Sequence, residues 1–205
     1  TVQNGDSLTS IGARFGVDVH VLAEANGLKT PDKLTSGQTL TIDNRHIVPS
    51  PAGVDILINV PQRMLFNFDP EGTPIGYPIA AGRSTWRTNL GDFEVVRMEE
   101  HPTWDVPLSI QEEMRKAGKP VLTQVPPSPE NPLGDFWIGL SLPGIGIHGT
   151  NAPASIYGLV THGCIRLHPE DIRNLFSKAG IGTRGHITYE PVLIARRESA
   201  IFLEV

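Results

Sequence analysis

Glycine and proline limit this chain to short elements joined by many turns. The 205 residues include 21 glycines and 18 prolines. Glycine weakens helices and strands through its backbone entropy, and proline does so because it lacks an amide hydrogen and fixes φ. The sequence therefore favours short strands and frequent turns over long helices.

The overall composition is that of a globular protein with a sizeable core. Apolar residues make up 39% of the chain and charged residues 19%, a balance typical of folded domains. The formal net charge of −5 offers no basic patch, so we expect no nucleic-acid partner. No apolar run approaches the ~20 residues of a spanning helix, so we expect that this chain does not span a membrane.

The two ends of the chain suggest processing or trimming. It starts at Thr1 rather than at methionine, and it stops inside the apolar stretch 200–205. We therefore expect a processed or trimmed N-terminus and a natural protein that continues past the last residue. Cys164 is the one cysteine, which excludes an intramolecular disulfide and makes an unpaired, reactive thiol a candidate feature.

Residues 1–43 follow the order strand, helix, helix and strand. Capping residues precede two segments of helical apolar periodicity, which predicts helices over Leu8–Phe15 and Val19–Ala25. The run 37–42 predicts the closing strand. Proline and glycine then accumulate in 44–53, which predicts a linker to a second domain.

Residues 54–195 predict a mainly-β domain, so that the whole chain is an α+β protein of two domains. Short β-branched runs recur at ten- to twelve-residue spacing, which is typical of a β-sandwich or a barrel-like sheet. Short helices are expected over 110–116 and 172–178. The segment 196–205 predicts a strand of a C-terminal extension, and the proline-rich segment 121–134 predicts a surface loop that either walls a cleft or is passive.

The single cysteine lies among histidines. His162 stands two residues before Cys164, and His148 stands 16 residues before it. A thiolate attacks carbonyl carbons, and an imidazole can take the proton of the thiol. A free thiol of pKa ~8.5 is only a few per cent ionised at neutral pH, and a histidine partner lowers that pKa. The sequence therefore predicts a cysteine–histidine site with His148 as the first candidate for the base.

Such a nucleophile also needs an oxyanion hole and a contact to its acyl donor. The backbone N–H groups of His162, Gly163 and Cys164 are candidates for binding the oxyanion. Arg166 follows two residues later and is suited to pair with a substrate carboxylate through its fork of donors.

The residues alone leave other interpretations open. A lone cysteine is often a small buried apolar residue, and His162 and Arg166 could be structural. His148, His162, Cys164 and His168 could instead bind zinc together.

Residues 1–43 resemble a LysM domain with its first strand clipped. The matching residues are Gly5-Asp6-Ser7-Leu8, Ile11, Ala25-Asn26-Gly27-Leu28 and 34–42. The family has a βααβ fold and binds glycans that contain N-acetylglucosamine, such as peptidoglycan and chitin. The resemblance implies a glycan-binding module, and the alternative is a small scaffold that packs on the next domain.

The segments 147–151 and 161–167 resemble the two-part signature of the L,D-transpeptidase catalytic domain, also called the YkuD domain. The resemblance covers about 54–192, and further matching pieces are Ile58-Asn59-Val60-Pro61, Pro102-Thr103-Trp104, Val125-Pro126-Pro127 and Asn131-Pro132-Leu133-Gly134. It implies a β-sandwich-like fold with mixed sheets and short helices. The segment 89–93 departs from the family's usual Thr-Pro-x-Gly-x-Phe turn.

The resemblance implies a role for each motif residue. Cys164 would be the acyl-accepting nucleophile and His148 the general base, with the carbonyl of Gly149 holding the imidazole ring. His162 and Gly163 would shape the oxyanion hole.

Two further motif positions are implied to act on the substrate. Arg166 would contact the donor peptide, and Thr161 replaces the commoner serine while keeping the hydroxyl. The resemblance implies no metal and no cofactor.

The implied activity is transfer of a peptidoglycan acyl group. Members of the family cut between the third residue of a tetrapeptide stem and its terminal D-Ala, and then pass the acyl group to an amine. The implied partners are stem peptides and glycan strands, with a wall-anchored lipoprotein as a further one, and the implied location is the periplasm or cell wall. Carbapenems are expected to acylate Cys164. An L,D-carboxypeptidase that uses water as acceptor, or a non-catalytic peptidoglycan-binding protein, are the alternatives.

Overall fold

A computed structural model of the chain describes residues 1–29, 33–50, 53–68 and 74–205. It has two main hydrophobic cores. One is built from side chains between Val2 and Ile42, and the other from side chains between Ile56 and Ile187. The two cores fall in the two segments that the sequence separates.

Helices α1 (Leu8–Phe15) and α2 (Val19–Ala25) form over the predicted residues. The strands predicted on either side of them are not confirmed. The backbone of Val2 donates to Gln38 at 2.8 Å and accepts from Gly37 at 2.9 Å, but no strand is formed within the described parts of 1–43. A two-bond contact, rather than a β-ladder, closes this small domain.

The remainder of the chain is mainly β. Its strands are β1 (Ile56–Asn59), β2 (Met64–Phe68), β3 (Pro74–Gly82), β4 (Gly91–Glu100), β5 (Trp104–Asp105), β6 (Gln124–Val125), β7 (Phe136–Leu140), β8 (Gly146–His148), β9 (Leu159–Thr161), β10 (Ile165–Leu167), β11 (Arg184–Thr188), β12 (Leu193–Arg197) and β13 (Ala200–Glu204).

Nine of these strands form one mixed sheet in the order β10-β8-β7-β4-β11-β1-β2-β3-β9. The pairs β1–β11, β8–β10 and β3–β9 are parallel, and the other pairs are antiparallel. Strand β10 also pairs with β3, so the two ends of the sheet meet and the core is barrel-like. The predicted two-layer sandwich is not confirmed.

Two helices belong to this second part of the chain. Helix α4 (Pro169–Lys178) buries Ile172 and Leu175 in the main core, whereas helix α3 (Leu108–Lys116) buries none of its residues. Both helices begin two to three residues before their predicted starts. Within the described ranges, no helix combines the length and apolar character needed to cross a bilayer.

The C-terminal residues form a hairpin. Strand β13 pairs with β12 over its whole length, from Leu193 opposite Glu204 to Arg197 opposite Ala200. The expected boundary between 195 and 196 lies inside β12, and the segment 196–205 contains the strand β13.

Helix α1 packs directly on the second domain. Ala13 forms a small buried cluster with Ala80 of β3 and with Ile156. Beside it, Arg14 forms an ion pair with Asp171 of α4 at 3.2 Å. The N-terminal domain is thus joined to the β-domain by side-chain packing as well as by the chain.

Candidate active site

The register of two parallel strands places His148 beside Arg166. Ile147 of β8 pairs with Ile165 of β10, and both side chains are fully buried. Because successive side chains of a strand point to opposite faces, the next pair, His148 and Arg166, shares the other face. That face borders a cleft of about 570 Å³, whose lining includes Trp104, Leu133, Trp137, Ile145, His148, Thr161, His162, Cys164 and Arg166.

The imidazole of His148 is fixed and neutral. Its side chain is buried, stacks on Trp137 with ring centroids 5.7 Å apart, and has Nδ1 2.7 Å from the carbonyl oxygen of Gly149. A carbonyl only accepts, so Nδ1 donates and Nε2 of the neutral ring keeps its lone pair. Burial, helped by the charge of Arg166, lowers the pKa of His148 to about 3. His148 can therefore act as a proton acceptor at neutral pH.

Cys164 follows β9 in the turn that leads into β10. Its Sγ lines the same cleft as His148 and lies 3.6 Å from the carbonyl oxygen of Gly144. Burial raises the pKa of this thiol because the charged form loses its hydration. No histidine is among the causes of this shift, and a lowering of the thiol pKa by His148 stays a prediction. The neutral Cys164 thiol and the neutral His148 imidazole both line the cleft, and no hydrogen bond joins these two described side chains.

The turn that carries the thiol depends on Gly163 and Thr161. Gly163 has φ of +110°, and a Cβ there would meet the Ile145 side chain at 3.2 Å. The hydroxyl of Thr161 donates to the carbonyl of Cys164 at 2.6 Å and accepts from the amide of Gly163 at 3.2 Å. Of the three amides considered for the oxyanion, that of Gly163 is thus already engaged, which leaves those of His162 and Cys164 as the candidates.

Thr88 supports the same turn and was missed in the sequence. It is buried, donates its hydroxyl to the carbonyl of Gly163 at 2.8 Å, and accepts from the amide of Gly82 at 2.9 Å. A signal was present, because Thr88 directly precedes 89–93 and fills the first position of the Thr-Pro-x-Gly-x-Phe pattern.

The side chain of His162 is engaged away from the thiol. Its Nε2 lies 2.8 Å from Oε2 of Glu113 and 3.0 Å from Nη2 of Arg83, and its ring meets Trp86 edge-on at 5.2 Å. Arg83 and Glu113 also form an ion pair. The hydrogen bond from His162 lowers the pKa of the Glu113 carboxyl. No sequence motif pointed to Glu113, which belongs to helix α3.

The guanidinium of Arg166 borders the cleft and has no acidic partner among the described residues. Its Nη1 donates to Oγ of Ser155 at 2.9 Å, and its Nε is buried without a hydrogen-bond partner. Among the described residues, no carboxylate forms an ion pair with this guanidinium. The charge of Arg166 is therefore available to an anionic group of a ligand.

The proline-rich segment 121–134 forms one wall of the cleft, through Pro132 and Leu133. The segment is held by Asn131, which is almost fully buried. Its amide donates to the carbonyl of Pro102 at 2.9 Å, and its carbonyl accepts from the amide of Leu133 at 2.9 Å. The segment was expected either to wall a cleft or to be a passive loop, and the structure shows that it walls the cleft.

The four residues considered for zinc are not brought together. His148, His162 and Cys164 line the cleft, whereas His168 is buried near the backbone of Ala13, at the contact with α1. Within the parts of the chain that the structure describes, no three His, Cys, Asp or Glu side chains are grouped so that they could hold a metal ion.

A thiol and an oriented neutral imidazole lie at the ends of neighbouring strands of a barrel-like sheet, which are the residue types used by the class of enzymes with a cysteine nucleophile. Comparison with family models agrees with this class. The L,D-transpeptidase catalytic domain, YkuD, matches residues 53–194, and the LysM domain matches residues 1–43. The chain therefore belongs to the YkuD family of L,D-transpeptidases, with a LysM domain ahead of the catalytic domain.

Individual proteins resemble the chain over most of its length. The Escherichia coli "Probable L,D-transpeptidase ErfK/SrfK" is 34% identical over 193 residues, which are 92% of this chain and 61% of that protein. The Bacillus licheniformis protein YkuD, also named an L,D-transpeptidase, is 30% identical over 91% of this chain and 96% of its own length. The chain thus spans about three fifths of the length of the E. coli relative.

A solved structure shares the fold. L,D-transpeptidase 3 from Mycobacterium tuberculosis, in complex with a faropenem-derived adduct, superposes with a TM-score of 0.51 at 19% identity, over 68% of this chain and 61% of that one.

Proposed function

We propose that this protein is a peptidoglycan L,D-transpeptidase that forms a thioester on Cys164. The observation that carries this proposal is that the Cys164 thiol, the neutral His148 ring and the unpaired Arg166 cation border one cleft. Membership of the YkuD family supports it. The donor is a tetrapeptide stem, and D-Ala is the leaving group.

In the acylation step, Nε2 of His148 takes the proton of the Cys164 thiol while Sγ attacks the carbonyl carbon of the third stem residue. The resulting oxyanion accepts hydrogen bonds from the amides of Cys164 and His162. The C–N bond to D-Ala then breaks. The leaving amine takes the proton from His148, and the stem remains as a thioester on Sγ.

In the transfer step, an amine attacks the thioester carbonyl and gives its proton to His148. The C–S bond breaks, and the sulfur recovers that proton as a thiol. The acceptor is an amine of a second stem, of a free D-amino acid, or of a wall-anchored lipoprotein. Because the resting pair is neutral, the base is regenerated without any net change of charge.

The LysM domain is proposed to bind the glycan strands to which stem peptides are attached. We assign it to 1–43, the linker to 44–53 and the catalytic domain to 54–195. Binding the strand raises the local concentration of stems at the cleft, so that weak peptide recognition is sufficient. This activity belongs outside the cytoplasm, and we propose the periplasm or the cell wall as its place.

The test is incubation with a disaccharide-tetrapeptide, alone and with a diamino-acid acceptor, followed by mass spectrometry. We expect a cross-linked or amine-exchanged product, and none with Cys164→Ala. Loss of D-Ala without transfer would favour the carboxypeptidase alternative. Unchanged substrate, or equal turnover by Cys164→Ala, would contradict the proposed function.

A further inference from the structure

Ser155 is the hydrogen-bond partner of the active-site arginine. It lies on a short 3-10 turn, Pro153–Ser155, between the two halves of the catalytic signature. Its Oγ accepts from Nη1 of Arg166 at 2.9 Å and donates to the carbonyl of Ala152 at 2.6 Å. The hydroxyl proton is thereby turned toward Ala152, and a lone pair is left for the guanidinium.

The turn that carries Ser155 packs against the LysM domain. The next residue, Ile156, is 3% exposed and packs with Ala80 of β3 and with Ala13 of helix α1. The amide of Tyr157 donates to the carbonyl of Ile79 at 3.0 Å. Ser155 therefore stands on backbone that is held by β3 on one side and by the LysM helix on the other.

A hydroxyl is suited to hold an arginine whose charge must remain available. A carboxylate partner would fix the guanidinium but would also neutralise it, whereas serine offers a neutral acceptor. With Nη1 fixed by Ser155, less conformational entropy is lost when the other nitrogens of Arg166 bind a ligand. The carboxylate of the terminal D-Ala lies next to the scissile bond, close to Cys164, and is the anion within reach.

We propose that Ser155 is a positioning residue, which aims Arg166 at the D-Ala carboxylate of the donor. The LysM helix α1 packs against the turn that carries Ser155 and holds it in place. The LysM domain therefore contributes to donor recognition in addition to binding glycan. This inference rests on the proposed transpeptidase function.

The test compares two glycan-free tetrapeptides, one with a free C-terminal carboxylate and one with a C-terminal amide. Without glycan, glycan binding by the LysM domain cannot contribute to the rates. Ser155→Ala is expected to lower kcat/KM for the carboxylate peptide by on the order of tenfold, mainly through KM, because a hydrogen bond to a charged group is lost. The amide peptide is expected to be nearly unaffected.

Three further variants sharpen this comparison. Ser155→Thr keeps a hydroxyl and is expected to restore the preference for the carboxylate. Ser177→Ala removes an exposed serine hydroxyl on α4 that donates to the carbonyl of Asn174, and is expected to match the wild type. Adding Ser155→Ala to Arg166→Ala is expected to cause no further loss, because the residue that Ser155 positions is already absent.

The contribution of the LysM helix is tested by Ile156→Ala. This variant keeps the Ser155 hydroxyl but removes the side chain that packs against Ala13. A smaller loss, again selective for the carboxylate peptide, is expected. Leu22→Ala is the control, since it truncates a buried side chain of the LysM core and lowers stability without touching the turn.

The outcomes separate the inference from the function on which it rests. If the wild type turns over and Ser155→Ala keeps the full carboxylate preference, the positioning role is wrong. An equal loss on both peptides in Ile156→Ala would refute the role of the LysM helix. If the wild type turns over neither peptide, the proposed function fails and the inference falls with it.

Discussion

At the scale of single residues, burial of His148 contributes to the dependence of stability on pH. In the unfolded chain this histidine titrates near its ordinary pKa of ~6.5, whereas in the folded protein its pKa is lowered to about 3. Between these values the unfolded state binds more protons, so the free energy of unfolding falls as the pH is lowered. Above pH ~6.5 this contribution is fully present.

The pH dependence is tested by comparing the wild type with His148→Gln. From pH 7 to pH 5 the wild type is expected to lose ~1–2 kcal/mol of unfolding free energy relative to the variant, because only the wild type has a histidine at this position that stays neutral when folded and binds a proton when unfolded. Urea denaturation at both pH values measures this difference. A difference that stays constant between the two pH values would contradict the assignment of a buried, neutral His148.

The hydroxyl of Thr88 is expected to support both stability and reactivity. Thr88→Val keeps the shape but leaves the carbonyl of Gly163 and the amide of Gly82 without the partner they have now. Each buried unsatisfied group costs ~1–3 kcal/mol, so the midpoint of urea denaturation should fall and acylation of Cys164 should slow. Thr88→Ser keeps the hydroxyl and serves as the control. Wild-type behaviour in Thr88→Val would show that these two bonds are dispensable.

The residues of the signature were predictable, and those that support them were largely not. Cys164, His148 and Arg166 stand at short spacing in the sequence, in a pattern that a family preserves. Glu113 and His162 meet across 49 positions, and Thr88 reaches Gly163 across 75. Such contacts depend on how distant strands and helices fold against each other, which local spacing does not encode.

At the scale of elements, helix α3 is only weakly attached to the rest of the catalytic domain. None of its residues is buried, so it gains little from the hydrophobic effect. Its polar tie to the active site is Glu113, which contacts both Arg83 and His162. The residues just before it, Trp104 to Pro107, include lining of the cleft. The position of α3 therefore affects access to the thiol.

Removing this tie is expected to loosen the helix. In Glu113→Ala, amide hydrogen exchange over 108–119 should become faster, because little else holds α3. The substitution is expected to change global stability little, since the ion pairs of Glu113 are partly exposed. Glu112→Ala is the matched control, because among the described residues Glu112 forms its ion pairs within α3, with Arg115 and Lys116. Equal rates of amide hydrogen exchange over 108–119 in Glu113→Ala and Glu112→Ala would contradict the claim that Glu113 holds α3 in place.

Elements were predicted best where local signals define them. The bounds of α1 and α2 follow from capping residues and apolar periodicity, and the structure has the same bounds. Closure of the sheet between β10 and β3 pairs residues such as Arg166 and Ala80. That pairing is set by the twist and order of all nine strands, so the sequence pattern could not distinguish a sandwich from a barrel-like sheet.

At the scale of the whole molecule, the LysM domain packs against the catalytic domain and is not joined to it by the linker alone. The linker residues His46 and Ile47 donate to the carboxylate of Glu204 in β13, each at 2.7 Å, and Gln62 of the catalytic domain donates to the same carboxylate at 2.9 Å. Together with the cluster around Ala13, these contacts hold the LysM domain and the linker against the catalytic domain.

This packing of the two domains against each other predicts that they unfold together. Ala13→Asp would bury an unpaired charge against Ala80 and Ile156, which is expected to cost ~3 kcal/mol or more. All three tryptophans lie in the catalytic domain, so their fluorescence reports on that domain, while far-ultraviolet circular dichroism also detects α1 and α2. The two urea transitions are expected to coincide in the wild type and to separate in Ala13→Asp.

Arg14→Ala is the control for this prediction, because it removes a partly exposed ion pair at the same contact and is expected to cost ~0–1 kcal/mol. Coincident transitions at the wild-type midpoint in Ala13→Asp would show that the contact around Ala13 does not couple the domains.

The central claim, that Cys164 is the acyl-accepting nucleophile, is tested most directly by intact-protein mass spectrometry after incubation with a carbapenem. The wild type is expected to gain the mass of one acyl adduct, which peptide mapping should place on Cys164. The Cys164→Ala variant is expected to keep its native fold by circular dichroism and to gain no mass. An unmodified wild type, or an equal adduct on Cys164→Ala, would contradict the assignment of this thiol as the nucleophile.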